Sequence, residues 1–500
     1  MKKRQLERTW ISRIRLAGAS RVLALSTVLV LVVITFPAAQ AQTLTTLHSF
    51  DGTDGTDATS VLIQATDGNF YGTMYGGGAN SCIVGGRSIG CGTVFKITPS
   101  GKLTTLYNFC SQGGCTDGES PGGPLIQATN GDFYGTTVGG GANSAGTVFK
   151  ITPSGKLTVL YSFCPPSSCS GSEPWASLIQ SPNGDFYGTT FTGGATDYGT
   201  VFKITPNGTL TTLYSFCSQN DCADGLYPVA EVVQGSNGGL YGATPDGGTN
   251  GDYGTVFKIM PGGKLTTLHS FDGADGSQPQ GALIQATDGN FYGTTFQGGA
   301  NNGGTVFKMT PSGTLTTLYN FCSQSDCTDG EYPWKGLVQA TDGNLYGTTI
   351  EGGVDSGGTV FRITPSGTLA TLYRFCSESG CPDGGNPEAG LLLGTDGNLY
   401  GTTLSGGTNG DGTVFCLSLG LRPFVEMQTT SGKVGAAVKI LGTDLTGATG
   451  VTFSGTAATF TVVSKSEITT TVPVGATSGT VEVVTSHGTL RSNAKFRVTP

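Results

Sequence analysis

Five hundred residues exceed one ordinary domain, and 83 glycines with only 12% charged residues point to many short strands joined by tight turns, which argues against a helical bundle. The formal net charge of −8 makes the chain acidic. An acidic surface repels phosphate backbones and anionic lipid headgroups, so nucleic-acid and membrane-surface partners are not expected.

The first predicted element is a targeting segment, residues 1 to 41. Lys2, Lys3, Arg4, Arg8, Arg13, Arg15 and Arg21 form a basic region, residues 22 to 36 an apolar run, and Ala39-Gln40-Ala41 a cleavage site. The alternative is an uncleaved anchor, but this run is short against the span of about 20 residues that a membrane helix needs. Cleavage removes seven positive and one negative side chain and takes the formal charge from −8 to −14. The expected address is outside the cell or on its surface, with the periplasm as the alternative.

From residue 42 the chain repeats. F/L-Y-G-T/A places tyrosines at Tyr71, Tyr134, Tyr187, Tyr241, Tyr292, Tyr346 and Tyr400; G-T-V-F begins at Gly92, Gly146, Gly199, Gly254, Gly304, Gly358 and Gly412. L-T-T-L-Y/H-x-F and its variants begin at Leu44, Leu103, Leu157, Leu210, Leu265, Leu315 and Leu369. Each unit therefore holds four strand-like runs rich in Thr, Val, Ile, Phe and Tyr. A T-D-G-N turn separates the first two, as at Asp67-Gly68 and Asp288-Gly289, and P-S-G or P-N-G the last two.

Four-stranded meanders at a period near 54 residues predict an all-β fold, a seven-bladed β-propeller over residues 42 to 420. The repeats open on an isolated outer-strand motif at 44 to 50 and end on G-T-V-F-C-L-S at 412 to 418. The last blade lacks its outer strand, so the N-terminal strand is expected to supply it and close the ring. Residues 423 to 500 break the period; Val, Ile and Phe alternating between Gly-rich turns predict a β-sandwich of about seven strands.

L-T-T-L-Y-S-F, D-G-N-F-Y-G-T-T and G-T-V-F-K-I-T-P-S-G, recurring in that order over roughly residues 43 to 418, resemble the GloVer-type (Gloeo_Verruco) tandem repeat family of bacterial exported proteins. The resemblance implies a propeller-like array with no assigned chemistry. The tail resembles an IPT/TIG immunoglobulin-like domain through G-K-V-G-A-A-V-K-I-L-G-T-D-L, V-T-F-S-G-T-A-A and I-T-T-T-V-P-V-G-A-T-S-G-T-V-E-V-V-T. Such modules serve as spacers or binding accessories, an analogy from fold alone.

Thirteen cysteines in an exported chain read as a disulfide framework. Five C-x4-C pairs are expected, Cys110–Cys115, Cys164–Cys169, Cys217–Cys222, Cys322–Cys327 and Cys376–Cys381, with Cys82–Cys91 in an insertion of the first unit. Cys416, where other units carry Lys or Arg, is left as a free, buried thiol. Zinc would need ligands converging on one point, whereas these pairs are spread one per unit.

The stapled loops share a face with the G-G-x-x-N-x-G loops, and that face is the candidate binding surface. Asp54, Asp117, Asp224, Asp275, Asp329 and Asp383 recur there. Asp-Gly is first of all a turn pair, yet a ring of carboxylates could bind calcium. The cysteine-free loops with Asp51, Asp54, Asp272 and Asp275 are the calcium candidates. No other cofactor is implied. Trp175 and Trp334, each after a Pro, and Tyr227 and Tyr332, just before one, are candidates for stacking on sugar rings, with packing between units as the alternative. Lys96, Lys150, Lys203, Lys258 and Lys308 read as structural, snorkelling or pairing with a neighbouring Asp.

No catalytic residue is assigned. A propeller followed by an immunoglobulin-like tail resembles the copper radical oxidases, but their site needs two His and two Tyr, and this chain has only His48, His269 and His487. Ser-His-Asp or Cys-His catalysis fails for want of a base. The expectation is a monomeric, non-catalytic binding or scaffold module for carbohydrate or an extracellular protein, since similar units present the same groups repeatedly. The alternative is a carboxylate-dependent polysaccharide hydrolase or lyase using Asp54, Glu119, Asp275 or Glu331.

Overall fold

The F-Y-G-T and G-T-V-F strings fold as the two middle strands of each sheet because each supplies what the other leaves room for. A Cβ on Gly72 would lie 2.6 Å from the ring of Phe95, and Gly401 stands in the same relation to Phe415 at 2.5 Å. The glycine is the socket for the phenylalanine. In the computed structural model, which describes residues 42–84, 87–164, 170–353 and 355–499, every such pair recurs. The predicted leader and Cys169 lie outside the described residues.

Residues 44–417 form seven antiparallel four-stranded sheets. The first comprises Ile63–Gln64, Phe70–Met74, Thr93–Ile97 and Leu103–Asn108. The first strand of each sheet pairs over only two residues, shorter than the A-L-I-Q-A-T run suggests, because the D-G-N turn comes directly after it. Phe70–Met74 is buried along its whole length, which requires cover on both faces of the sheet.

The cover comes from the neighbouring sheets. Phe109, after the outer strand of the first sheet, packs edge-on against Phe149 of the second, with ring centroids 5.2 Å apart. The hydroxyl of Thr73 donates to the carbonyl of Gly123 at 3.0 Å, and the backbone N–H of Thr66 donates to Oε1 of Gln127 at 2.9 Å. Equivalent contacts recur around the chain.

The expected closure is present. Leu44–Ser49 pairs antiparallel with Thr413–Leu417, with Leu44 opposite Leu417 and Ser49 opposite Thr413. Phe50 then reaches the first sheet, 5.8 Å from Phe95, and Thr402 donates to the carbonyl of Ala58 at 3.3 Å. The ring contact of Phe50 with Phe95 repeats that of Phe109 with Phe149, while the Thr402 bond falls two residues before the position bonded in the other units. The result is a propeller-like repeat fold, and residues from all seven units, among them Val61, Leu125, Leu178, Val232, Leu283, Leu337 and Leu391, line one axial cavity of about 360 Å³.

The tail carries two further four-stranded sheets around a core of Val425, Val438, Ile440, Phe453, Ile468, Val483 and Phe496. It hydrogen-bonds to residues at the ends of the innermost strands. Ser466 donates to the carbonyl of Thr66, Gln428 to those of Gln127 and Ala128, Asn493 to that of Gln339 and Arg497 to that of Ser236. Thr395 and Thr443 share a hydroxyl contact at 2.8 Å. The tail thus lies across the D-G-N end of the axis. Among the described residues no helix is long and apolar enough to cross a membrane.

Candidate functional site

At the other end of the axis the chain enters each inner strand through the same bend. The residue before the Pro, or its equivalent, is left-handed in all seven units: Asp57, Ser120, Glu173, Tyr227, Gln278, Tyr332 and Asn386 have φ between 52° and 59°. For non-glycine residues this conformation is uncommon, and here it turns the chain towards the axis. Two residues further on come Thr59, Gly122, Trp175, Val229, Gln280, Trp334 and Glu388, and all seven line one cavity of about 550 Å³. Asp57, Glu173, Tyr75, Phe191, Leu404 and Lys335 complete its wall. It shares Trp175, Val229, Gln280 and Lys335 with the axial cavity below.

Two of the residues singled out in the sequence meet here. Trp175 stacks on Tyr75 with ring centroids 5.5 Å apart and planes at 10°, and Trp334 stands edge-on to Phe296 at 5.0 Å. Tyr227 and Tyr332 instead pack on Phe191 and Phe296, at 4.9 and 5.0 Å, and support the wall from behind.

The aspartates recurring in the stapled loops do something else. Asp329 is fully buried and accepts from the Tyr319 hydroxyl at 2.7 Å, from Ser323 N–H and Oγ at 3.0 and 2.9 Å, and from Gln324 N–H at 3.2 Å. Asp117 and Asp224 are held identically, and Asp383 accepts from Tyr373 at 2.8 Å. These carboxylates tie the loop to the outer strand. Burial and the adjacent Asp329 push the Tyr319 hydroxyl up to about 12, so it stays a donor.

In the two cysteine-free loops His takes the place of Tyr: His48 Nε2 lies 2.6 Å from Asp54, and His269 Nε2 lies 2.7 Å from Asp275. Asp51 Oδ1 accepts from Thr53 and Asp54, and Asp272 Oδ1 from Ala274 and Asp275. The calcium candidates are thus already engaged by donors that a cation would have to displace.

Five predicted disulfides are present, Cys82–Cys91, Cys110–Cys115, Cys217–Cys222, Cys322–Cys327 and Cys376–Cys381. Cys164 is also disulfide-bonded, its expected partner being outside the described residues. Among the described residues Cys416 is the free thiol, half-buried rather than buried as expected, and desolvation pushes it up to about 11. Lys96 and Lys308 pair with Asp67 and Asp288 at 2.7 and 3.0 Å, as expected of strand-borne structural lysines.

Sequence reasoning missed the ionisable groups of the axial mouth. Glu388 is raised by burial and by Asp57, against the pull of Lys335; Asp57 is raised by burial and Asp411; Glu173 is raised by burial and Asp197. Lys335 is lowered by burial, against the attraction of Glu231 and Glu388. Superposing the repeats in the sequence would have found Lys335: the equivalent residues are Ser60, Gly123, Ala176, Ala230, Gly281 and Ala389. The expectation that similar units present the same groups seven times therefore does not hold at the axis, where each unit contributes a different side chain.

Among solved structures, the chain is similar to a fungal alcohol oxidase of the AA5 family in complex with copper, at 14% identity over 92% of this chain and 99% of that one, with a TM-score of 0.50. It is also similar to the periplasmic gluconolactonase of Pseudomonas aeruginosa, at 16% identity over 70% and 99% of the two chains, with a TM-score of 0.41. At 14% identity the likeness to the oxidase speaks to fold alone. A copper site on the oxidase pattern does not fit, since His48 and His269 sit on outer strands bound to aspartates and His487 is exposed on a tail hairpin. No curated protein matches the chain in sequence comparison. The repeat described as the Gloeobacter/Verrucomicrobia repeat matches residues 33–174, 167–333 and 323–468. On that match, over most of its length, the chain belongs to the Gloeobacter/Verrucomicrobia repeat family.

Proposed function

We propose that the protein is an exported seven-bladed propeller that binds carbohydrate through its axial mouth, as a binding or scaffold module outside the cell or on its surface. The seven stacked four-stranded sheets support the blade count, and the tail's paired sheets fit an immunoglobulin-like sandwich of the IPT/TIG kind serving as spacer. Five disulfides favour an oxidising, extracytoplasmic environment.

One observation carries the carbohydrate reading: Trp175 and Trp334 come from units three repeats apart and line the same cavity, whose other walls combine Asp57, Glu173, Glu388, Lys335 and Gln280 with apolar Phe191, Val229 and Leu404. Indole faces against sugar C–H faces, with carboxylates and amides at the edges for hydroxyls, are what a saccharide pocket of this size requires. Glycan-array binding tests it. Trp175→Ala and Trp334→Ala should each weaken binding about tenfold or more while the protein stays folded. An extracellular protein partner is the reading left if no glycan binds.

A carboxylate-dependent polysaccharide hydrolase or lyase is the second reading, favoured by the convergence of Asp57, Glu173 and Glu388 on one asymmetric cavity. Its carboxylates would be these, in place of Asp54, Glu119, Asp275 or Glu331. Turnover on any bound polysaccharide, lost in Glu388→Gln, would establish it.

A further inference from the structure

We infer that the saccharide taken by the axial mouth carries protonated amino groups, as an oligosaccharide of hexosamines with free amines does; the inference rests on the carbohydrate reading above. It starts from a cavity with aromatic walls. Trp175, stacked on Tyr75, and Trp334 line it, and indole rings bind an ammonium-bearing sugar by both C–H contact and cation–π attraction.

The charges of the same wall are one-sided. Asp57, Glu173 and Glu388 face one cation, Lys335, and Lys335 already acts on two carboxylates, Glu388 and Glu231. Asp197 and Asp411 add negative charge behind Glu173 and Asp57. The Glu173 and Glu388 carboxylates have no hydrogen-bond or ion-pair partner within contact distance among the described residues, and that of Asp57 has only the Thr56 hydroxyl at 3.4 Å.

Half-buried carboxylates left unpaired are costly, and a ligand that brings a cation removes that cost on binding. A neutral sugar leaves the carboxylates as they are. A uronate adds like charge and is repelled, since the single lysine is outnumbered.

The chemistry of this pocket is also not a by-product of the repeat. Lys335 replaces the Ala, Gly or Ser of six equivalent positions, and Glu388 stands where other units place Trp, Val, Gln, Thr or Gly. The scaffold does not require either residue.

The test is isothermal titration of the mature full chain with three probes: a glucosamine trisaccharide with free amines, its fully N-acetylated counterpart, and a galacturonic acid trisaccharide. The free-amine sugar should bind about tenfold or more tighter than the acetylated one, and the uronate weakest. In Glu173→Gln/Glu388→Gln the preference should fall to near unity with the acetylated sugar still bound, which shows the pocket intact. Lys335→Met, which removes the competing cation, should tighten the free-amine sugar severalfold. Equal or tighter binding of the acetylated sugar or the uronate, or a preference that survives the double variant, overturns the inference and leaves the carbohydrate reading standing. Binding of none of the three overturns this inference together with the carbohydrate reading of these probes; a glycan array positive elsewhere would then rescue only the latter.

Discussion

Oε1 of Gln64 accepts the backbone N–H of Thr395 at 2.9 Å, across 331 residues. The same bond joins neighbouring units, from Thr129 N–H to Gln180 at 3.0 Å and from Thr287 N–H to Gln339 at 2.8 Å. The junction between the two ends of the repeat array is thus made with the bond used between its consecutive units.

This junction predicts that the N-terminal strand matters out of proportion to its length. Deleting residues 44–50 leaves Thr413–Leu417 as an open edge and uncovers Phe95. Tm should fall sharply and light scattering should report association. Phe50→Ala, which keeps the strand but removes the buried ring, should cost about 3–5 kcal/mol in urea unfolding. A deletion variant with an unchanged Tm would show that the junction contributes nothing.

The stapled loops allow a comparison between a covalent and a polar tie. Removing Cys322–Cys327, a closed loop of sequence separation 5, should cost about 2 kcal/mol by chain entropy. Asp329→Ala removes a fully buried carboxylate that accepts four hydrogen bonds and should cost about 2–4 kcal/mol. Denaturant midpoints of the two variants should rank the aspartate at least equal to the disulfide.

Acid should destabilise the fold through the D-G-N turns. Burial raises Asp288, but hydrogen bonds from Asn290, Lys308 and Tyr292 outweigh it and hold the carboxyl at about 2. A carboxyl lower in the folded chain than in the unfolded one, where it lies at about 3.9, stabilises fully above that value. The gain is lost as pH falls from about 4 to about 2. Asp288→Asn should flatten that part of the stability curve, measured by chemical denaturation at stepped pH.

Glu388 should do the reverse. Its carboxyl is raised by burial and Asp57, so the folded state favours the protonated form and loses stability as pH rises through the interval above the ordinary glutamate value. Glu388→Gln should therefore raise Tm at neutral pH and leave it unchanged in acid. A lower Tm at neutral pH would mean that Lys335 stabilises Glu388 more than burial penalises it.

The scaffold was legible because its causes are local and repeated. A glycine under a phenylalanine, an Asp-Gly turn, and an Asp four residues before a Tyr recur at fixed offsets, and so does the disulfide spacing. The strand borrowed by the last sheet could be read from the motif order alone. Trp175 and Trp334 were also visible, since they come after Pro in equivalent places.

The charged part of the mouth was not, because attention to recurring residues passes over positions where repeats differ. Lys335 and Glu388 occur once in their columns, and only the φ near +55° shared by seven bends brings those columns to one point. The aspartates Asp117, Asp224 and Asp329 misled for the opposite reason: they recur because the loop needs them, and their side chains turn inward.

The tail, bonded to the ends of five inner strands, lies across the far end of the axis. On the carbohydrate reading proposed above, a long polymer entering the mouth would meet the tail at the far end, so it would insert a terminus or a side branch and withdraw by the way it came. On the same reading, affinity at this mouth should scale with the number of chain ends in a sample rather than with its mass, so that trimming a polysaccharide into shorter pieces raises its apparent potency.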